Sequence, residues 1–166
     1  MNIREEQASD FENVWGVNSE AFETEAEARL VNALRSSGSA NVSLVAETET
    51  VGHILFTPVE LSGSENKLRI MGLAPMAVLS QYQNQGIGSE LVKAGLEHCR
   101  SHGYDAVVVL GHPNYYPRFG FVPSVNHGIK SEYEVPDEVF MILELVPGSL
   151  NGHEGAIKFH EAFNSV

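Results

Sequence analysis

Apolar and polar positions change period several times along the chain, and each change marks an element. Residues 1–4 read as a short strand. Ser9-Asp-Phe-Glu12 has the pattern of a capping box, in which Ser9 accepts from the N–H of Glu12. Phe11, Val14, Trp15, Ala21 and Phe22 then supply the apolar face of a helix, interrupted by Gly16 and Asn18. A second capping box, Thr24-Glu-Ala-Glu27, opens a clearer helix with Ala28, Leu30, Val31 and Leu34 on one face, ending near Ser36-Ser-Gly-Ser39. From Val42 the period shortens. Val42-Ser-Leu-Val-Ala-Glu and Val51-Gly-His-Ile-Leu-Phe-Thr-Pro-Val-Glu-Leu are strands, and the turn at 48–50 joins them as an antiparallel hairpin. A further turn at 62–66 leads through Lys67-Leu-Arg-Ile-Met into an apolar run that ends at Leu79.

Helical spacing returns from Gly88 to His102, with Leu91, Val92, Gly95, Leu96 and Cys99 as the buried stripe. Asp105-Ala-Val-Val-Val-Leu-Gly111 is unbroken and apolar, as a central parallel strand is, so residues 73–111 read as one β-α-β crossover. A stretch dense in proline and aromatic residues follows at 112–123, then a polar loop, and Val139-Phe-Met-Ile-Leu-Glu-Leu-Val as the last strand. Residues 155–163 read as one helical turn or more. With no repeat, low-complexity segment or linker, residues 1–166 are expected to form a single domain.

Composition narrows the choice of partner. Twenty-two acidic residues against ten basic ones leave a formal charge of −12, which argues against nucleic acid. The same charge repels an anionic cofactor at long range, so its phosphates would have to rest on backbone donors, whereas a cationic amine is favoured in approach. Many of these acids do no more than keep the surface solvated. The single cysteine, Cys99, has no internal partner, which fits a reducing compartment. The start of the chain has no leader-like pattern and no run is long enough to span a bilayer, so a cytoplasmic protein without a membrane partner is expected.

The chemistry is concentrated between Gly72 and Ser89, where an apolar strand, a polar turn with glycines at 86 and 88, and a helix N-terminus follow one another. The first N–H groups of a helix lack internal partners and the helix dipole favours negative charge there, so this order suits an anion. On its own, a glycine pair does no more than end a strand and begin a helix. No Lys-Ser or Lys-Thr follows, so it is not a Walker loop, and the third glycine of the dinucleotide fingerprint is missing.

Two strings make the reading specific. Gln83-Asn-Gln-Gly-Ile-Gly88 resembles the Gln/Arg-x-x-Gly-x-Gly/Ala signature of the GNAT acetyltransferase superfamily, and Tyr116-Pro-Arg-Phe-Gly-Phe121 resembles its Tyr-x-x-Phe/Leu-Gly-Phe element. The longer Gly111-His-Pro-Asn-Tyr-Tyr-Pro-Arg-Phe-Gly-Phe, with Pro136-Asp-Glu-Val-Phe-Met and Glu144-Leu-Val-Pro-Gly-Ser-Leu150, is similar to a bacterial subgroup of predicted N-acetyltransferases. The resemblance covers nearly the whole chain. Ser80 departs from it, standing where the family commonly has proline just after the fourth strand.

The resemblance implies an α/β (α+β) fold: a mixed, mostly antiparallel sheet of about seven strands, flanking helices, and one β-α-β crossover at the cofactor site. It implies acetyl-CoA as co-substrate, a small-molecule or peptide amine as acceptor, and no metal, and it allows a homodimer. The pyrophosphate would rest on the N–H groups of Asn84, Gln85, Gly86, Ile87, Gly88 and Ser89, next to Gln83. The pantetheine arm would lie along Met76, Ala77 and Val78, where a backbone N–H would stabilise the oxyanion.

Tyr116 aligns with the family's general acid, since a phenol near pKa 10 can protonate a departing thiolate; its ring could equally do no more than pack. His112, at the end of the fifth strand, is a candidate base or a capping residue. Glu20, Glu23 and Glu25 are further candidates near the acceptor side, or simply solvated helix-end charges. His98 and His102 have metal-pair spacing but lack a third ligand. A non-catalytic acyl-CoA-binding module of the same fold is the alternative to an enzyme.

Overall fold

In this computed structural model, which describes residues 2–47, 50–63 and 68–166, the elements run in the order β1 (Asn2–Glu5), α1 (Phe11–Phe22), α2 (Ala26–Ser36), β2 (Val42–Glu47), β3 (Gly52–Ser62), β4 (Ile70–Val78), α3 (Ile87–Ser101), β5 (Ala106–Leu110), β6 (Val122–Pro123), β7 (Ile129–Ser131), β8 (Phe140–Glu144) and β9 (Gly155–Lys158). They form two compact units. The first holds the chain up to Thr57, Ala74–His98 and Glu161–Val166; the second holds Pro58–Leu73 and Cys99–His160. Strands β3 and β4 each contribute one half to each unit.

Burial along β3 changes at this division. Residues 52–57 are buried without interruption, whereas residues 58–62 alternate, with Pro58, Glu60 and Ser62 facing out. Continuous burial requires cover on both faces, and alternation requires it on one.

In the first unit β2 pairs antiparallel with β1 on one side and with β3 on the other, and β3 lies beside β4. Val45 and Leu55 on one face join Val14 of α1 and Leu30, Val31 and Leu34 of α2 in a single apolar cluster. The other face receives α3 at unusually short range. A Cβ on Gly95 would lie 2.2 Å from Cε1 of Phe56, and one on Gly52 would lie 3.0 Å from Cδ1 of Leu91. The expected stripe of Leu91, Val92, Gly95, Leu96 and Cys99 is buried throughout.

In the second unit the first residues of β4 pair parallel with β5, in the register Ile70–Ala106, Met71–Val107 and Gly72–Val108. Strand β8 pairs antiparallel with both β5 and β6. The outer half of β3 pairs antiparallel with β9, which pairs parallel with β7. The mixed, mostly antiparallel sheet is therefore observed, and α3 carries the β4–β5 crossover.

Three details differ from expectation. Nine strands are present among the described residues rather than about seven, because β6 and β7 have only two and three residues and show no alternation to read. The tail forms β9 before a final 3-10 turn at Glu161–Ser165, since the β3 edge offers it a partner; a Cβ at Gly155 would stand 1.8 Å from the Ser62 carbonyl oxygen, so only glycine fits there. Ser9 does not cap α1. Asp10 heads this region instead, accepting from the Gln7 N–H at 2.7 Å and held by two nitrogens of Arg4 at 2.7 and 2.8 Å. The predicted turns at 48–50 and 62–66 lie partly outside the described residues.

Buried polar groups interrupt the apolar interior of the first unit, and a histidine is among them. His53 of β3 is fully buried; its Nδ1 lies 3.2 Å from Asn18 Nδ2 and its Nε2 lies 2.9 Å from Ser43 Oγ. The Asn18 amide nitrogen also donates to the Val14 carbonyl at 3.0 Å, which sets its orientation. Nδ1 therefore accepts, and the neutral ring donates from Nε2 to Ser43. Burial, with the nearby Arg35 charge, pushes His53 down to about 3.

The unfolded chain takes up a proton near pH 6.5 that the folded chain refuses, so this contribution is complete above pH 6.5 and is lost as pH falls toward 3. Between pH 7 and pH 5, His53 should account for about 2 kcal/mol of lost stability. Urea unfolding at both pH values should show that extra loss in wild type and not in His53→Gln. Equal losses in the two proteins would refute it.

Candidate functional site

Strand β4 ends at Val78, and the chain then builds the turn that begins α3. Leu79 is extended and its N–H reaches back to the Val51 carbonyl at 2.9 Å. Alternation along the strand therefore turns the backbone of Ala77 toward β3, in keeping with its carbonyl 3.4 Å from a Cβ built at Gly52. The N–H groups of Met76 and Val78 point to the opposite edge. A 3-10 turn, Ser80–Tyr82, follows, closed by Tyr82 N–H to Leu79 at 2.8 Å and Gln83 N–H to Ser80 at 3.3 Å.

Next come two residues with positive φ, Asn84 at 61° and Gly86 at 87°, on either side of Gln85. Such a change of hand turns neighbouring N–H groups toward a common point, which is the geometry of an anion nest. The first i to i−4 bond of α3 runs from Glu90 N–H to the Gly86 carbonyl at 3.0 Å, so the N–H groups of Ile87 and Gly88 precede the helical ladder. A Cβ at Gly86 would meet nothing within 4 Å. Its glycine is demanded by backbone hand, and the space beside it is open.

Residues 79–89 themselves carry no positively charged side chain. Gln83 Nε2 donates to the Val78 carbonyl at 2.9 Å and Gln85 Nε2 to the Gln81 carbonyl at 3.2 Å. These glutamines brace the turn and leave the backbone N–H groups as donors. A nest joined to a helix N-terminus, with open space and no Cβ at its centre, fits a phosphate-bearing group. The structure thus gathers Met76, Ala77, Val78 and Gln83 through Ser89 into one continuous segment of the first unit.

His112 and Tyr116 belong to the second unit, where one turn brings them together. The His112 carbonyl accepts from Tyr115 N–H at 3.1 Å and Tyr116 N–H at 3.4 Å, and His112 Nδ1 accepts from Asn114 N–H at 3.1 Å. With Nδ1 accepting, a neutral His112 ring carries its proton on Nε2. The ring acts as a cap of the turn.

Tyr116 is buried, with its ring edge-on to Tyr115 at 5.0 Å and to Phe121 at 5.7 Å between centroids. Desolvation, reinforced by Tyr115, pushes its phenol up to about 12. It therefore keeps its proton at neutral pH. Burial similarly pushes the Cys99 thiol up to about 12, so it is no nucleophile.

Of the acidic candidates, Glu25 pairs with Arg29 at 2.7 Å, Glu23 ends α1 with φ 60°, and Glu20 bonds to Ser80. His98 Nδ1 lies 3.7 Å from Glu5, and no group of three metal-binding side chains occurs among the described residues. No described helix is long and apolar enough to cross a membrane.

The sequence alone did not reveal the role of Gly111. A Cβ there would lie 2.3 Å from Cε2 of Tyr116, so the glycine makes room for the ring. Its presence at the head of the Tyr116 string was the available signal. Gly111→Ala should cost about 1–3 kcal/mol in urea unfolding and alter the tyrosine near-ultraviolet dichroism, because the ring has to move. Wild-type values of both would show that the ring is not held there.

Comparison with known proteins gives a consistent picture. The acetyltransferase (GNAT) family model matches residues 1–121. The chain is 36% identical to the uncharacterized N-acetyltransferase YhbS of Escherichia coli K12, over 99% of each chain. It is 39% identical to a second such protein of that strain, YjhQ, over 87% of this chain and 86% of that one. The crystal structure of E. coli YhbS in complex with CoA superposes with a TM-score of 0.92, covering 98% of this chain and 91% of that one. A GNAT family acetyltransferase from Brucella melitensis in complex with acetyl-CoA, 32% identical, has a TM-score of 0.81 and covers 98% of this chain and 97% of that one.

Proposed function

Since the chain belongs to the GNAT acetyltransferase family, we propose that it moves an acetyl group from acetyl-CoA to a primary amine by direct attack. The observation that carries this reading is the uncharged nest at the start of α3, where Asn84 and Gly86 take positive φ ahead of the helix N-terminus. The relatives crystallised with CoA and acetyl-CoA support it.

Bound acetyl-CoA would supply an activated thioester. The backbone N–H groups of residues 84–89 would hold its pyrophosphate without a cationic side chain, which suits a chain of net charge −12. On β4, the N–H groups of Met76 and Val78 face away from β3 and are suited to pair with the pantetheine arm and to take the charge that develops on the carbonyl oxygen. Ala77 contributes by holding β4 against β3. We assign Tyr116 the proton that the leaving sulfur requires, and the proton shed by the attacking nitrogen, which attacks as the neutral amine, restores the phenol through solvent; a phenol raised to about 12 is fully protonated when the reaction starts. His112, with Nδ1 engaged, stays a cap of the turn. The acidic surface favours approach of a cationic amine.

An amine panel assayed by thiol release tests the activity. Tyr116→Phe should lower kcat by about 100-fold or more while the Kd for CoA stays within about twofold. Because the phenol titrates near 12 and not 10, wild-type kcat should show no alkaline fall from this group between pH 8 and pH 10. An unchanged rate in Tyr116→Phe would remove the residue from the mechanism. Tight CoA binding without thiol release on any amine would favour the non-catalytic alternative.

A further inference from the structure

A long-range polar contact in the first unit is made by Glu20, in the last turn of α1. Its carboxylate accepts hydrogen bonds from the Ser80 N–H, at 3.0 Å, and from the Ser80 hydroxyl. Both donors of one serine, sixty residues away in sequence, thus converge on a single carboxylate. Hydrogen bonds to an ionised acceptor are stronger and more directional than neutral ones. Ser80 opens the 3-10 turn, and its own carbonyl receives Gln83 N–H. Gln83 in turn returns to the Val78 carbonyl, and the next residue is Asn84, where the nest begins.

The helix that carries Glu20 is itself anchored. Asn18, two residues earlier, is buried and bonds to His53 on β3. Leu79 is tied to Val51 on the other side of Ser80. Without Glu20, the Ser80 N–H turns to solvent.

We infer that Glu20 is a positioning residue: by holding Ser80 it sets the orientation of the nest at residues 84–89, and so governs affinity for the phosphates of CoA. The inference rests on the reading of that nest as the CoA site. Glu20 and Ser80 are exposed, so the contact adds little to global stability and acts on the geometry of the turn. It works through its shape as an acceptor and not as a proton carrier, which separates it from a general base.

The backbone supplies an independent check. Leu79 has φ −52° and ψ 138°, an extended, polyproline-like conformation outside the α region, which a following proline allows. Residue 80 is the first of the 3-10 turn, where a fixed φ near −65° is accommodated and a missing N–H is tolerated. Proline at 80 would therefore fix the turn covalently and make the Glu20 contact dispensable.

CoA titration by calorimetry, together with steady-state kinetics, tests this in four variants. Glu20→Ala should raise the Kd for CoA and the KM for acetyl-CoA by about five- to tenfold with kcat within about twofold. Glu20→Gln keeps an amide oxygen for the Ser80 N–H and should stay close to wild type. Ser80→Pro should bind CoA as wild type does, and Glu20→Ala with Ser80→Pro should recover the affinity that Glu20→Ala loses. Wild-type affinity in Glu20→Ala, no recovery in the double variant, or a kcat loss in Glu20→Gln would each overturn the inference.

Amide exchange of the ligand-free protein separates its failure from that of the CoA reading. Faster exchange at Ser80 and Gln83 in Glu20→Ala supports the clamp even if wild type binds no CoA, in which case the nest reading fails. Unchanged exchange there overturns the clamp.

Discussion

The close approach of α3 to β3 governs the glycine turn. Helix and strand meet where Gly95 lies under the ring of Phe56 and Gly52 lies under Leu91 and Ile87, positions at which the space for a Cβ is already occupied. Interiors packed at this density deform little, so the helix cannot slide or roll without displacing Phe56. Ile87, buried at the first position of α3, carries the same packing up to the helix start. The N–H groups at that start are held from behind by the core of the first unit, while those of residues 84–86 take their direction from the loop that precedes them. An anion site made of backbone donors has no long side chain to adjust, and it works only if the helix behind it is immobile.

On the proposed function, a chain of net charge −12 takes up a polyanion and has to keep the repulsion away from the contact. Here the turn is lined with amides. Gln83 and Gln85 use their side chains on the carbonyls of Val78 and Gln81, bracing the loop from within. The donors left for a ligand belong to the backbone, whose partial charges do not depend on pH. On the proposed function, the acidic composition is then left to favour a cationic amine.

Buried polar groups do the fastening at longer range. Asn18, His53 and Ser43 form a short chain of hydrogen bonds across α1, β3 and β2, and the orientation of the Asn18 amide dictates a neutral histidine. Such a group is stabilising only while its partners are in place, since a buried polar atom without one is costly. Two residues beyond Asn18, Glu20 extends the same helix's hold to Ser80. Helix α1 thus fastens at two points, one dry and one wet, and the second reaches the segment that leads into α3.

Much of this was legible in the chain. The shift from helical to strand period at Val42, the stripe from Leu91 to Cys99, the unbroken valines of β5 and the glycine spacing at 86 and 88 all follow from contacts within one element, which act over four residues or fewer. The two motif strings narrowed the family. Other features could not be read: that Asp10 and not Ser9 heads α1, that residues 155–158 find a strand partner, that Gly111 makes room for Tyr116, and that Glu20 meets Ser80. Each depends on a group distant in sequence, whose position follows from how whole elements pack. The sequence by itself determined the kinds of element, their order and the backbone freedom of the turn. Tertiary structure alone decided which carboxylate, carbonyl and ring stand next to that freedom, because local periodicity encodes the face a residue occupies and not the neighbour it will meet there.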